Sequence, residues 1–310
     1  MEQILQLFPV YLREPIQKSG IFKKQLEEIR VRVNQPLIFR TGEGEFFLKE
    51  DQIVNRLDDQ CCRMMPEEVR QMSVFMSKYS LYAYEEEIRK GFLTVEGGHR
   101  IGVCGQVSCE GGRVRRIHPI SYLNIRIARE KKGCAKPVFP YLLDQNHFLN
   151  TLVLSAPGIG KTTLLRDLIR ILSDGSTWCE GRRVGLVDER SEIAGSLKGV
   201  PQNDVGIRTD VLDGCPKAEG MMMLVRSMAP DILAVDEIGG EEDMHSLRYA
   251  MRCGCQIAAT IHSRNLEELF AKPGWASYRK EKMFERYVVL SMKEGKRKFE
   301  VFSAELEQLC

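Results

Sequence analysis

The sequence predicts an α/β fold: a mostly parallel sheet covered by helices, preceded by a smaller α+β domain. Three observations carry the prediction. From Leu149 onward, short apolar runs alternate with stretches of helical period, the order that builds a parallel sheet. Inside that region an apolar strand passes through a glycine-rich loop directly into a lysine-headed helix. Before residue 133 the pattern differs, with short helices and alternating strands mixed. A length of 310 residues provides for two cores, and the change of pattern divides the chain into 1–132 and 133–310.

Hydrophobic residues make up 43% of the chain and charged residues 28%, a balance that excludes wholesale disorder. The formal charge of +2 excludes a generically basic nucleic-acid binder, but it is the sum of opposed patches. Residues 113–136 hold eight basic side chains against Glu130 alone, whereas residues 201–250 hold ten acidic and four basic ones. Opposed patches suit self-association or docking, although charge runs are also solvated faces. The opening MEQILQLFPV has neither a basic start nor a long apolar core, so no secretory leader is expected. No uncharged apolar run reaches the ~18 residues that span a bilayer. The ten cysteines include no Cys-x-x-Cys pair, and Cys253 and Cys255 read as small buried thiols rather than metal ligands. These features together predict a cytoplasmic protein with reduced thiols.

In the first domain, Glu28-Ile-Arg-Val-Arg-Val33 alternates as a half-exposed strand, and Asn34-Gln-Pro36 turns it into a second strand, Leu37–Phe39. Pro66–Ser77 has proline and acids in its first turn and an apolar stripe, the signature of an amphipathic helix. Phe92–Val95, Ile101–Val107 and Ile120–Ile127 read as strands separated by glycine turns. Arg129-Glu-Lys-Lys-Gly133 has linker composition, and Lys136–His147 is expected to be a helix leading into the second domain. There the expected elements are strand Thr151–Ser155, helix Lys161–Leu172, strand Val184–Val187 and a helix around Ala218–Met228. Strand Ile232–Asp236, helix Asp243–Arg252 and strand Gln256–Ile261 follow. A hairpin, Tyr287–Met292 and Lys298–Ser303 around Glu-Gly-Lys, closes the chain.

Chemistry concentrates where these strands end. Ser155-Ala156-Pro157-Gly158-Ile159-Gly160-Lys161-Thr162-Thr163 has the parts that a triphosphate needs, in order. Small residues let backbone N–H groups curl around phosphates, and a helix N-terminus adds positive potential. Lys161 would reach the β- and γ-phosphates, and the Thr162 hydroxyl would ligate Mg²⁺. Ser155 stands where this motif has its first glycine; the competing reading is a glycine turn before a helix. Ile232–Val235 then runs into Asp236 and Glu237. Asp236 suits a Mg²⁺ partner and Glu237 a base that orients the attacking water, though acids at strand ends also cap helices. Val187-Asp-Glu189-Arg-Ser-Glu192 places further acids, Glu189 among them, at a strand's C-terminal edge, where ligands bind in open sheets. His262, after Ala258–Ile261, is either a γ-phosphate sensor or a capping residue. No Asn-Lys-x-Asp guanine motif occurs, so ATP with Mg²⁺ is the expected pair.

Along the chain, a complete strand, Val184–Val187, separates the loop from Asp236. This resembles the branch of phosphate-loop ATPases with an additional inserted strand and a catalytic glutamate. With these segments the chain resembles the secretion ATPases, the RecA-like hexameric motors of type II and type IV secretion and type IV pili. Ser155–Thr163 matches that family's Walker A loop and Val187–Glu192 its acidic box. Leu224–Asp231 running into Ile232–Gly239 matches its Walker B strand, and Ala258–Ser263 its His box. Asp236-Glu237 departs from the Gly-Glu that ends many family strands. Leu26–Val33, Glu96–Gly105 and Ala218–Met223 extend the resemblance across both domains, to a sporulation-specific branch.

The resemblance implies a RecA-like ATPase domain over 133–310 and a docking domain with a basic linker over 1–132. It also implies a ring, six-membered in the family, in which arginines of the preceding domain reach the nucleotide. Arg126 and Arg129 are the candidates, with Arg100 behind them, although a solvated basic linker would look the same. By the same resemblance the protein sits on the mother-cell side of the membrane around the forespore, against membrane-embedded channel proteins. Two other functions stand beside this one. A nucleic-acid-dependent ATPase would use residues 113–136 or Arg279–Lys298, which offer little for base stacking: Tyr122 in the first, Phe284 and Tyr287 in the second. A nucleotide-gated assembly scaffold would need no turnover.

Overall fold

The computed structural model describes residues 2–76, 88–89, 91–128, 130–293 and 295–310. Arg129, Ser77 at the end of the expected helix, and Glu294 of the expected turn lie outside them. The chain divides into two compact units, Met1–Arg129 and Glu130–Cys310.

The first unit contains β1 (Leu26–Arg32), β2 (Ile38–Thr41), β3 (Gly44–Lys49), β4 (Gln52–Val54), β5 (Phe92–Val95), β6 (His99–Glu110) and β7 (Arg113–Arg126). They form one antiparallel sheet in the order β4-β3-β2-β1-β7-β6-β5. In β1 the expected alternation holds: Ile29 and Val31 are buried, while Arg30 and Arg32 keep part of their surface in water. The helix Pro66–Met76 packs against β7 and buries Val69, Met72 and Met76. Beyond Cys104 the β6–β7 ladder continues as a largely exposed two-stranded arm.

The second unit starts with a short ribbon, β8 (Leu143–Asp144) with β9 (His147–Phe148). Its main strands are β10 (Thr151–Ser155), β11 (Val184–Asp188), β12 (Thr209–Asp213), β13 (Ile232–Val235), β14 (Gln256–His262), β15 (Arg286–Lys293) and β16 (Lys296–Ser303). The sheet order is β12-β11-β13-β14-β10-β15-β16, parallel throughout except for the β15–β16 hairpin. Alternate residues of the central strands feed two cores. Val153, Ala234 and Ala258 meet the helix Lys161–Asp174 on one face. Leu152, Leu154, Leu233, Val235, Ile257 and Ala259 meet the helices Lys217–Ser227 and Glu241–Arg252 on the other. Burial on both faces is why these strands are unbroken apolar runs. Gly220 lets the helix Lys217–Ser227 close on β11, because a Cβ there would stand 2.7 Å from Val187 Cγ1.

The strand inserted between β10 and the acidic strand β13 in the sheet is β14; Val184–Asp188, which separates them along the chain, flanks β13 on its far side. Two expectations change. Lys136–His147 is not a helix but a 3₁₀ turn, Phe139–Leu142, leading into the ribbon; Pro137 and Pro140 have no N–H to donate. Cys255 is buried, its Sγ donating to Pro230 O at 3.2 Å, but Cys253 is exposed, so the two are not a buried pair. Among the described residues no helix is long and apolar enough to cross a membrane.

His99, buried at the start of β6, accepts the Ala128 N–H on Nδ1 at 3.0 Å. Burial pushes its imidazole from 6.5 down to about 4. The folded chain therefore refuses a proton that the unfolded chain takes up. The neutral side chain costs nothing above about pH 6.5, and the fold loses stability as pH falls from there towards 4. His99→Gln keeps an acceptor for Ala128 but cannot charge. Between pH 7 and 5 it should lose about 2 kcal/mol less stability than the parent chain in urea titrations. Equal losses would rule out a neutral buried His99.

Candidate active site

β10, β14 and β13 end side by side, and their register decides what meets. Ser155 pairs with His262, and Val235, the last residue of β13, pairs with Ala259. Asp236 and Glu237 therefore leave the sheet beside Thr260 and His262. Thr162 Oγ1 donates to Asp236 Oδ2 at 2.7 Å, and Thr260 Oγ1 donates to Asp236 Oδ1. The Glu237 N–H donates back to Thr260 Oγ1 at 2.9 Å. Glu237 has a φ of 55°, a left-handed backbone that costs a glutamate about 1–3 kcal/mol. Surrounding contacts hold it there, including Lys217 Nζ, which donates to Glu237 O at 2.7 Å.

Lys161 opens its helix and is 5% exposed. Its Nζ donates to Ser155 O at 3.3 Å and stands 2.8 Å from His262 Nδ1. An ammonium only donates, so Nδ1 must accept, and the imidazole proton is assigned to Nε2. Nε2 then donates to Glu237 Oε1 at 2.7 Å, while Oε2 of the same carboxylate meets Arg190 Nη1 at 2.6 Å. Burial works to raise the Glu237 pKa, but His262, Arg190 and Lys161 outweigh it and hold the carboxyl below its ordinary range. Burial lowers the Lys161 pKa against the pull of Asp236 and Glu237.

The loop Ala156–Gly160 carries two left-handed glycines, Gly158 and Gly160. Ser155 is fully buried, its Oγ donating to Ala156 O at 2.8 Å, and its backbone lies outside the left-handed region, so the position does not require glycine. The acids after β11 divide into two roles. Asp188 turns inward and accepts the N–H groups of Glu192, Ile193 and Ala194 at 2.8–3.0 Å, which shapes its own loop. Burial pushes its carboxyl up to about 6, against the pull of those amides. Glu189 faces the site, 3.4 Å from Lys217, where both line a hollow with Arg190, Asp236 and Glu237.

The second unit thus brings together Ser155–Thr163, Glu189, Asp236, Glu237 and His262. Arg126 belongs to the first unit. It is exposed at the end of β7, in register with Arg100 on β6 and Glu28 on β1. Arg100 stacks on the Phe92 ring, 3.6 Å from its centroid. Arg129 lies outside the described residues. Sequence reading missed Arg190, Lys217 and Thr260. Arg190 and Thr260 lie inside segments that the sequence singles out, Val187–Glu192 and Ala258–Ser263, but without a role of their own.

The Thr162 hydroxyl and the Asp236 carboxylate are hard oxygen donors, the type that Mg²⁺ selects. Two protein oxygens fit an ion that takes the rest of its octahedral shell from phosphates and water. Among the described residues no group of three or more His, Cys, Asp or Glu side chains is placed to hold a metal by itself.

The model of the family "Sporulation stage III, protein AA" matches residues 1–302. The chain belongs to this family. Stage III sporulation protein AA of Bacillus subtilis (strain 168) is 40% identical over 299 residues, 95% of this chain and 92% of that protein. Among solved structures, the Legionella pneumophila ATPase DotB aligns with a TM-score of 0.60 at 15% identity, over 96% of this chain and 81% of that one. The pilus retraction motor PilT, with bound ADP, aligns with a TM-score of 0.61 at 15% identity, over 93% and 81%. These likenesses establish the fold: a RecA-like α/β unit of the secretion-ATPase type, preceded by an antiparallel-sheet unit.

Thr260 is fully buried and serves two partners at once. Thr260→Val keeps its shape but strands the Glu237 N–H. A loss of about 1–3 kcal/mol in unfolding free energy is expected from urea denaturation. An unchanged midpoint would mean that these two bonds do not form in solution.

Proposed function

We propose that the chain is a Mg²⁺-dependent ATPase, working as a ring-forming motor at the channel between mother cell and forespore during endospore formation. One observation carries the reading. Three adjacent strand ends join Thr162 to Asp236, and Lys161 through His262 to Glu237, by contacts of 2.7–2.8 Å. Family membership and the secretion-ATPase fold support it.

In this reading the N–H groups of Gly158–Thr163 wrap the phosphates, and Lys161 exchanges its contact with His262 for the β- and γ-oxygens. Thr162 and Asp236 would hold Mg²⁺, whose charge offsets that of the phosphates. Glu237, ionised because His262 and Arg190 stabilise its charge, accepts a proton from the attacking water. The water oxygen bonds to the γ-phosphorus as the bond to the ADP oxygen breaks, giving phosphate and ADP. His262 touches both Lys161 and Glu237, so it registers whether the γ-phosphate is present. Glu189, through Lys217, steadies the Glu237 backbone.

Residues 1–132 would form a docking domain whose Arg126 and Arg129, backed by Arg100, reach the nucleotide of a subunit in a ring, six-membered in the family. Partners would be copies of this chain and membrane-embedded channel proteins of the stage III sporulation complex. The chain would work from the cytoplasm, peripheral to the membrane on the mother-cell side, without nucleic acid.

Purified protein should hydrolyse ATP only with Mg²⁺. Lys161→Ala should abolish both binding and turnover. Glu237→Gln should still bind ATP but turn over about 10²–10⁴-fold more slowly. Normal turnover in Glu237→Gln would remove Glu237 as the base. If Arg126 acts as a finger, Arg126→Ala should cost about 10³-fold or more in turnover and little in ATP affinity. Particle mass with and without ATP tests the ring.

A further inference from the structure

The C-terminal hairpin brings to the phosphate loop a cation that the reading above does not use. β15 runs parallel to β10, and their pairing ends at Leu154 with Val289. β10 ends one residue later at Ser155, level with Leu290, and Ser291–Lys293 continue past it, so the hairpin overhangs the sheet's ligand-bearing edge by about 10 Å, at ~3.3 Å per residue. β16 returns along the overhang with Arg297 opposite Met292.

Alternation decides where Arg297 points. Val301 and Phe299 pack into the core beneath the helix Lys161–Asp174, whereas Phe302 packs into the core on the other face. Arg297 continues the row of Val301 and Phe299 outward, towards the loop. Its guanidinium lies against Gly160, where an added Cβ would overlap Nη2 and Cζ of the arginine. Gly160 also has a φ of 105°, so this position excludes a side chain on two counts. Arg297 is exposed, and among the described residues no Asp or Glu forms an ion pair with it. A planar, permanently charged fork thus rests on a loop shaped to wrap anions, without a carboxylate of its own.

We propose that Arg297 contacts the phosphates of the nucleotide bound in the same chain, which makes the terminal hairpin part of the nucleotide site. The inference rests on the ATP reading and adds to it a residue from a strand that carries no phosphate-loop motif.

Calorimetric titration of the full chain with ATP, and separately with tripolyphosphate, which has no base or sugar, tests it. Arg297→Gln should bind both ligands about tenfold more weakly. Arg297→Lys, a point charge without the fork, should fall between Arg297→Gln and the parent chain. Lys298→Gln removes the same charge from the opposite face of β16 and should bind normally. Melting temperatures without ligand check that each variant is folded, and Arg297→Lys carries the test if the glutamine variant is not. Parental affinity for tripolyphosphate in both Arg297 variants, beside loss of binding in Lys161→Ala, would overturn the assignment and leave the ATP reading standing. A parent chain that bound neither ligand would overturn the ATP reading and the assignment with it.

Discussion

A lysine ammonium at 5% exposure has given up most of its hydration, and Lys161 recovers the loss from its neighbours. Ser155 O and His262 Nδ1 accept from it, and the charges of Asp236 and Glu237 pull against the burial penalty. Because the ammonium can only donate, it fixes which histidine nitrogen accepts and which donates. That choice aims Nε2–H at Glu237, and Glu237 in turn engages Arg190. One buried cation thereby orders a row of four side chains from three strand ends and a loop. The acid pair depends on it equally, since two carboxylates on consecutive residues repel each other where water is scarce.

The sheet makes this row possible by inserting β14 between the loop strand and the acidic strand. β14 continues three residues beyond the level at which β13 stops, and those residues, Thr260 to His262, supply a hydroxyl and an imidazole where the acids emerge. Thr260 couples the two acids: it donates to Asp236 and accepts from the backbone of Glu237. The left-handed backbone of Glu237 is tolerated because its N–H, its carbonyl and both carboxylate oxygens are all engaged.

Much of the second unit was legible because two-sided burial writes strands as apolar runs, and a strand–loop–helix of small residues before Lys161 has few other uses. Where burial is partial the signal fades. Thr209–Asp213 is half-buried at every position and lies at a sheet edge, and its Thr-Asp-Val-Leu-Asp carries no strong alternation. The short strands β3 and β4 are only partly buried apart from Leu48, and went unseen for the same reason. Val138, Phe139, Leu142 and Leu143 imitate a helical period, but prolines on either side of Phe139 turn that spacing into two anchors for a tight turn. Of the site, the motif residues could be named from spacing alone. Arg190, Thr260 and Arg297 could not, because what places them is pairing between strands distant in sequence.

The terminal hairpin shows how much can depend on counting. Val301 and Phe299 are moored in one core and Phe302 in the other, so the side of the ribbon on which any residue emerges is a matter of odd or even distance from them. Deleting Lys298 would set Arg297 next to Phe299 and turn its guanidinium to the far side, with composition and charge type along the ribbon almost unchanged. Two deletions would restore the side but shorten the reach by about 7 Å. The hairpin is therefore intolerant of a change of parity, a constraint on length that no residue-by-residue substitution would reveal.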